Sequence, residues 1–286
     1  MAEFAGARRL TGNDDVTELV LTEFHDLKNG RAAVLRLNRP QDLNPLDKDT
    51  VAALNRSMDA LLADASVGAV IVTGEGSAFS AGGDLKGYLD LYLDEPAFRR
   101  FLAGLKTFFD KLENGRLISV AAVNGACVAG GFELALACDL IVMSSSARMG
   151  DGHLRYWQLP GAGGSQRLTR AVGLNLAKQI LYSYQIYDAQ RCQAIGLSAA
   201  SFEPDQLLAG ALAMVDRMMT TPSETVTVMK RLLKASVEMP LEQGLDYEIE
   251  EVVRHAIGQD APAYKGLLRF TERPRAANPT SDRDKT

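Results

Sequence analysis

The chain has little cysteine, histidine or tryptophan: three, three and one in 286 residues. The cysteines, Cys127, Cys138 and Cys192, are widely spaced. That excludes a disulfide framework and a metal knuckle, and three reduced thiols suit the cytoplasm. No metal site is expected. Positive charge is also in deficit. Lys and Arg number 31 against 36 Asp and Glu, a formal net charge of −5. A partner such as nucleic acid or an anionic membrane needs a basic surface that this composition does not supply. A local basic cluster can still meet a phosphate. The opening segment, MAEFAGARRLTGNDD, lacks the apolar run of a signal peptide and reads as a flexible lead-in. The most membrane-like stretch, residues 117–138, is interrupted by Asn124, Glu133 and three glycines. A buried strand, a turn and a buried helix fit it better than a membrane span.

What the chain does have is a core: 47% of it is hydrophobic and 23% charged. Two β-branched runs, 16–21 and 32–37, flank the turn signal KNG. Asp47 can cap a helix reaching about residue 63, with Val51, Leu54, Met58 and Leu61 on one face. The run VGAVIVT, 67–73, has the continuous apolar character of a strand covered on both faces. A helix over 96–112 carries Phe98, Phe101, Leu102, Leu105, Phe108, Phe109 and Leu112 at helical spacing, a stripe read as core. A strand over 117–123, a glycine-rich turn, a helix around 132–138 and an apolar run at 140–143 follow. Beyond PGAGG the periodicity is helical near 174–184, 189–195, 204–219, 223–236 and 241–257, interrupted by a strand-like patch at 198–201. The expected organisation is a lead-in (1–15), an α/β core (16–203), a helical region (204–274) and a polar tail (275–286).

Three glycine-rich turns carry the candidate chemistry. In SAFSAGGDL, 77–85, glycines follow a buried strand and leave backbone N–H groups free, while Asp84 can cap the next helix. In NGACVAGGFELAL, 124–136, a strand runs through glycines straight into a helix whose first turn holds Glu133. On pattern alone Glu133 is either a first-turn capping carboxylate or a partly desolvated acid/base residue. In GDGHLRYWQLPGAGG, 150–164, Asp151 and His153 flank Gly152 ahead of another donor-rich turn. His153 is either structural or catalytic there.

Together LRLNRP (35–40), SAFSAGGDLK (77–86), AAVNGACVAGGFELALACDLIV (121–142) and PGAGGSQRLTRAVG (160–173), in this order and spacing, resemble the crotonase superfamily, which includes the enoyl-CoA hydratases and isomerases. The resemblance covers about residues 19 to 270. It implies an α/β fold, a spiral of ββα units with a helical C-terminal region that drives trimer formation, two trimers stacking to a hexamer. It implies an acyl-CoA thioester as substrate, with no cofactor beyond the coenzyme A that the substrate carries. The backbone N–H groups of Gly83 and Gly130 would form an oxyanion hole for the thioester carbonyl. Glu133 would match the first catalytic glutamate of the hydratases. Ala81, Gly82 and Asp84 would border the adenine end of coenzyme A, and Arg39, Lys86 and Lys265 would meet its phosphates. Tyr88, Tyr92, Tyr156 and Trp157 are candidates for the acyl pocket.

One position departs from the hydratase pattern. A second glutamate is expected twenty residues after Glu133, and His153 stands there. An imidazole does acid or base work near neutral pH, and Asp151 could orient it. Water addition to a 2-enoyl-CoA is the leading expectation. The alternatives are hydrolytic or retro-Claisen cleavage, double-bond isomerisation by Glu133 alone, and a non-catalytic acyl-CoA binder.

Overall fold

A computed structural model describes residues 18–271 and the isolated strand pair Arg8–Arg9. The remainder of the expected lead-in, and the polar tail at 275–286, lie outside the described residues. Two compact units result, Met1–Lys230 and Arg231–Thr286.

The first unit begins with β1 (Arg8–Arg9), β2 (Val20–Leu27) and β3 (Gly30–Leu37), paired antiparallel in that order. The strand expected at 16–21 therefore lies further along. Polar residues through the middle of β2 obscure its period, because β2 is only partly covered and Glu23 pairs there with Arg36 at 3.3 Å. Helix α1 (Lys48–Ala63) starts where Asp47 accepts a hydrogen bond from the Thr50 N–H, as its sequence foretold. Then a three-part unit repeats. β4 (Val67–Gly74) leads to β5 (Ala78–Ser80), α2 (Leu85–Leu91) and α3 (Glu95–Asn114). β6 (Ile118–Val123) leads to β7 (Ala126–Val128) and α4 (Gly130–Leu136). β8 (Leu140–Ser144) leads to β9 (Arg148–Gly150), a 3-10 turn and α5 (Gly164–Val172).

The first strand of each unit joins one sheet and the second joins another, so the chain winds as a spiral of ββα turns. β3, β4, β6 and β8 lie side by side and parallel in a seven-stranded sheet. β5, β7 and β9 are neighbours and parallel in a four-stranded sheet. After α6 (Leu174–Ser183), β10 (Ile186–Asp188) closes the small sheet against β9, and α7 (Ala189–Ala194) leads to β11 (Ala200–Phe202), which joins β8. Helix α8 (Leu207–Met218) follows.

Both faces of the large sheet are covered, which accounts for the unbroken apolar runs of β4 and β6. One face, with Leu35, Val70, Val72 and Ala121, packs in a core with Leu54 and Met58 of α1 and Phe108 and Phe109 of α3. The other, with Val34, Ile71, Val120 and Val142, packs against Ala211, Leu212 and Val215 of α8. The strand-like patch at 198–201 proves to be β11, displaced by one to two residues.

Helix α9 (Ser223–Glu238) follows α8, and Lys230 ends the first unit with an ion pair to Asp139 at 2.7 Å. The second unit contains α10 (Leu241–Ala256) and α11 (Pro262–Thr271). Inside it, the buried Glu251 carboxylate is held by Arg231 at 2.6 Å and by Arg254. Among the described residues no helix is long and apolar enough to cross a membrane.

Candidate active site

The spiral decides where the site lies. β5, β7 and β9 are adjacent and parallel, with Ser80 level with Cys127 and Val128 level with Gly150. Their carboxyl ends therefore open side by side. Three residues past β5 is Gly83, two past β7 is Gly130, and three past β9 is His153. Residues 70 positions apart in sequence meet because they occupy equivalent places in successive turns.

Gly83, Gly130, Glu133 and His153 line one pocket of about 30 Å³, with Leu46, Tyr88, Phe98, Leu102, Leu105 and Gln158 among its other walls. The first two turns touch. A Cβ added to Gly82, whose φ is +93°, would stand 2.9 Å from the Gly130 nitrogen. One added to Gly130 would stand 3.5 Å from the Gly83 nitrogen. Neither the Gly83 nor the Gly130 N–H is engaged by a hydrogen bond among the described residues. Ala129, just before Gly130, takes φ 52° and ψ −120°. A non-glycine residue there costs about 1–3 kcal/mol, strain of the kind that collects at functional sites.

Two amides, the buried Asn44 and the half-buried Asn124, hold the segment 74–78 that leads into β5. Asn44 donates to the carbonyls of Glu75 (2.9 Å) and Ala78 (2.8 Å) and accepts from the Arg39 N–H (2.9 Å). Asn124 donates to the carbonyl of Gly76 (3.0 Å) and accepts from the Gly74 N–H (3.0 Å).

Glu133 is buried, with 2% of its surface exposed. Its Oε1 accepts hydrogen bonds from the N–H groups of Ala162 and Gly164, each 2.8 Å. A side chain at 164 would obstruct this, since a Cβ there would lie 3.0 Å from Glu133 Cγ. Its Oε2 instead faces His153 Nε2 at 3.8 Å. Burial pushes the Glu133 carboxyl above its ordinary value, and the Gly164 N–H, His153 and the Ala162 N–H pull part of the way back.

Behind His153 stands Asp151, 1% exposed. Its Oδ1 accepts from the His153 N–H at 2.9 Å and its Oδ2 lies 2.8 Å from Nδ1. An ionised carboxylate only accepts, so Nδ1 carries the hydrogen and Nε2 is turned toward Glu133. Burial lowers the proton affinity of His153, but the hydrogen bond and charge of Asp151, with the charge of Glu133, outweigh it and raise it above 6.5.

The remaining candidates are placed as follows. The Asp84 side chain accepts from the Lys86 N–H at 3.0 Å and caps α2, as expected, and Ala81 donates its N–H to the Leu43 carbonyl at 2.9 Å. Lys86 is exposed on α2. Arg39 pairs with Asp42 at 2.8 Å and with the capping Asp47. Lys265 lies in the second unit, 3.3 Å from Asp260. Tyr88 and Tyr92 line the pocket, whereas Tyr156 and Trp157 face solvent, 61% and 95% exposed. The α3 stripe does more than its period indicated: Phe101, Phe108, Phe109 and Leu112 are core, while Phe98, Leu102 and Leu105 also wall the pocket. Helical spacing reports burial but not what the residue is buried against.

A buried carboxylate and an imidazole thus stand beside two unengaged backbone N–H groups on a ββα spiral. The chain belongs to the enoyl-CoA hydratase/isomerase family, whose sequence profile matches residues 28–278. A probable enoyl-CoA hydratase of Rhizobium meliloti is 35% identical over 77% of this chain and 84% of that protein. The mitochondrial methylglutaconyl-CoA hydratase of Mus musculus is 32% identical over 86% and 79%. Among solved structures, an enoyl-CoA hydratase from Bacillus anthracis superposes with a TM-score of 0.79 at 27% identity, covering 89% of this chain and 96% of that one. The fold is thus the crotonase fold.

Proposed function

We propose that the protein adds water across the double bond of a 2-enoyl-CoA thioester, with Glu133 and His153 as its acid/base pair. The observation that carries this reading is the unequal treatment of the two Glu133 oxygens: Oε1 is fixed by two backbone donors, and Oε2 faces the Asp151-held imidazole across 3.8 Å. At that distance the two atoms make no direct hydrogen bond, so both stay available to a substrate water.

The thioester oxygen accepts from the Gly83 and Gly130 N–H groups, which stabilise the enolate that forms as water attacks; one such donor contributes about 3–4 kcal/mol. The water oxygen bonds to C3 while ionised Glu133 takes a water proton at Oε2. Protonated His153 gives its Nε2 proton to C2, completing the 3-hydroxyacyl product. Transfer from Glu133 to Nε2 then restores both groups. Every step is proton transfer or addition, so coenzyme A, carried by the substrate, is the sole cofactor-derived group the reaction needs. Ala81, Gly82 and Asp84 are assigned to the adenine end, and Lys86 to the phosphates. Arg39 joins Lys86 only by giving up its pairs with Asp42 and Asp47. Trimeric or hexameric assembly and a cytoplasmic location complete the reading, the latter in keeping with three free cysteines.

The test is loss of the conjugated-enoyl absorbance across a series of 2-enoyl-CoA esters. Turnover is expected with at least one, and none with any chain length would sink the proposal. Glu133→Gln is expected to lower kcat by at least about a hundredfold while binding of the CoA ester is nearly kept. A second reading, hydrolytic C–C cleavage of a β-dicarbonyl CoA ester, draws on the same Asp151–His153 pair acting as a base. Product mass separates a hydrated molecule from a shortened one.

A further inference from the structure

Arg167 has no part in the chemistry described so far, yet it touches the turn that holds Glu133. Its guanidinium meets Glu113, in the last turn of α3, through two bonds: Nε to Oε1 at 2.6 Å and Nη2 to Oε2 at 2.8 Å. Its third nitrogen, Nη1, donates to the carbonyl of Ala162 at 2.7 Å. The group also lies over the Phe109 ring, 5.6 Å from its centre, and the arginine side chain is 17% exposed. The Ala162 carbonyl falls between the two N–H groups, of Ala162 and Gly164, that fix Glu133 Oε1. One short segment thus donates to Glu133 and is held by Arg167 through the acceptor between.

We propose that Arg167, locked on Glu113, is a positioning residue that fixes the 162–164 turn and thereby the orientation of the Glu133 carboxylate. The proposal rests on the reading of Glu133 as the base. A planar fork is required, because three donors act at once in fixed directions; a lysine ammonium makes no such set. The effect reaches Glu133 through the turn. Two backbone donors favour the ionised carboxylate, so loosening the turn lets desolvation push the carboxyl up further. The titratable and charged groups facing Glu133 are His153 and Asp151 after β9, Tyr88 of α2 and Arg167 of α5.

The experiment titrates Glu133 without any CoA ester, as the infrared carboxyl difference between each protein and its Glu133→Gln counterpart. The background is Arg167→Met with Glu113→Gln, which leaves no lone charge behind. With the fold intact by circular dichroism, the Glu133 midpoint is expected to rise by about one pH unit. On a turned-over substrate, kcat is expected to fall about tenfold with KM within about twofold. Arg167→Lys is expected to restore neither. An unmoved midpoint in the folded double variant overturns the proposal, even if activity falls. If that variant does not fold, Glu113→Gln alone is read the same way, and an unmoved midpoint is again decisive. Absence of enoyl-CoA hydration in the parent protein would defeat the hydratase reading and leave this titration standing.

Discussion

At the scale of the residue, the site depends on how two buried carboxylates and the half-buried imidazole between them share protons. On the proposed mechanism Glu133 must be ionised to take a proton and His153 must be charged to give one, so kcat is expected to be bell-shaped in pH. The two limbs belong to a coupled pair. Because the Glu133 carboxyl is raised above 4.5, the acid limb lies above that value; because His153 is raised above 6.5, the alkaline limb lies above that one. Asp151 is what raises His153 against its own burial. Asp151→Asn is therefore expected to move the alkaline limb of the kcat profile downward and to lower kcat at pH 8 by at least about tenfold. A profile that keeps its alkaline limb would show that His153 is not the proton donor.

At the scale of the element, α4 seats Glu133, and it sits closely on the strand end beside it. A Cβ on Gly131 would stand 2.3 Å from the Ser80 carbonyl oxygen, a backbone atom that cannot rotate away. Gly131→Ala is expected to cost at least about 2 kcal/mol, read as a lowered urea midpoint, and to weaken turnover by moving Gly130 and Glu133 together. An unchanged midpoint would mean that α4 can slide on β5. The long elements were legible because their periods are long: Val51, Leu54, Met58 and Leu61 announced α1, and VGAVIVT announced β4. The strands of the small sheet were not. β5, β7, β9 and β10 have three residues each, too few to show an alternation. Their glycine-rich exits were visible even so, and Gly83, Gly130, Glu133 and His153 could be named without the sheet that gathers them. The contribution of Ala162 and Gly164 was visible only as a donor-rich turn. Arg167 lay inside the motif PGAGGSQRLTRAVG, but its role was not legible there, since an arginine near a glycine turn looks like any surface charge until Glu113, 54 residues earlier, is placed against it.

At the scale of the whole molecule, the first unit encloses its own core while the second leaves apolar side chains uncovered. On α10, Leu241, Leu245, Ile249 and Val252 are each more than half exposed. Isolated exposed residues of this kind are ordinary, but a row along one helix is not. A trimer or a pair of trimers is the assembly expected in sedimentation at micromolar concentration. Leu245→Asp with Ile249→Asp is expected to shift it toward monomer, and no change in mass would separate α10 from the assembly.

The order of the three strand ends has a consequence for how such an enzyme diversifies. Two consecutive turns carry the unengaged N–H groups of Gly83 and Gly130, and the third carries the residue at position 153. Because each comes from its own loop on its own strand, the third can be exchanged without disturbing the other two. On the proposed mechanism the pair of backbone donors is thereby separated from the choice of proton donor: the means of stabilising an enolate can stay while what that enolate becomes varies.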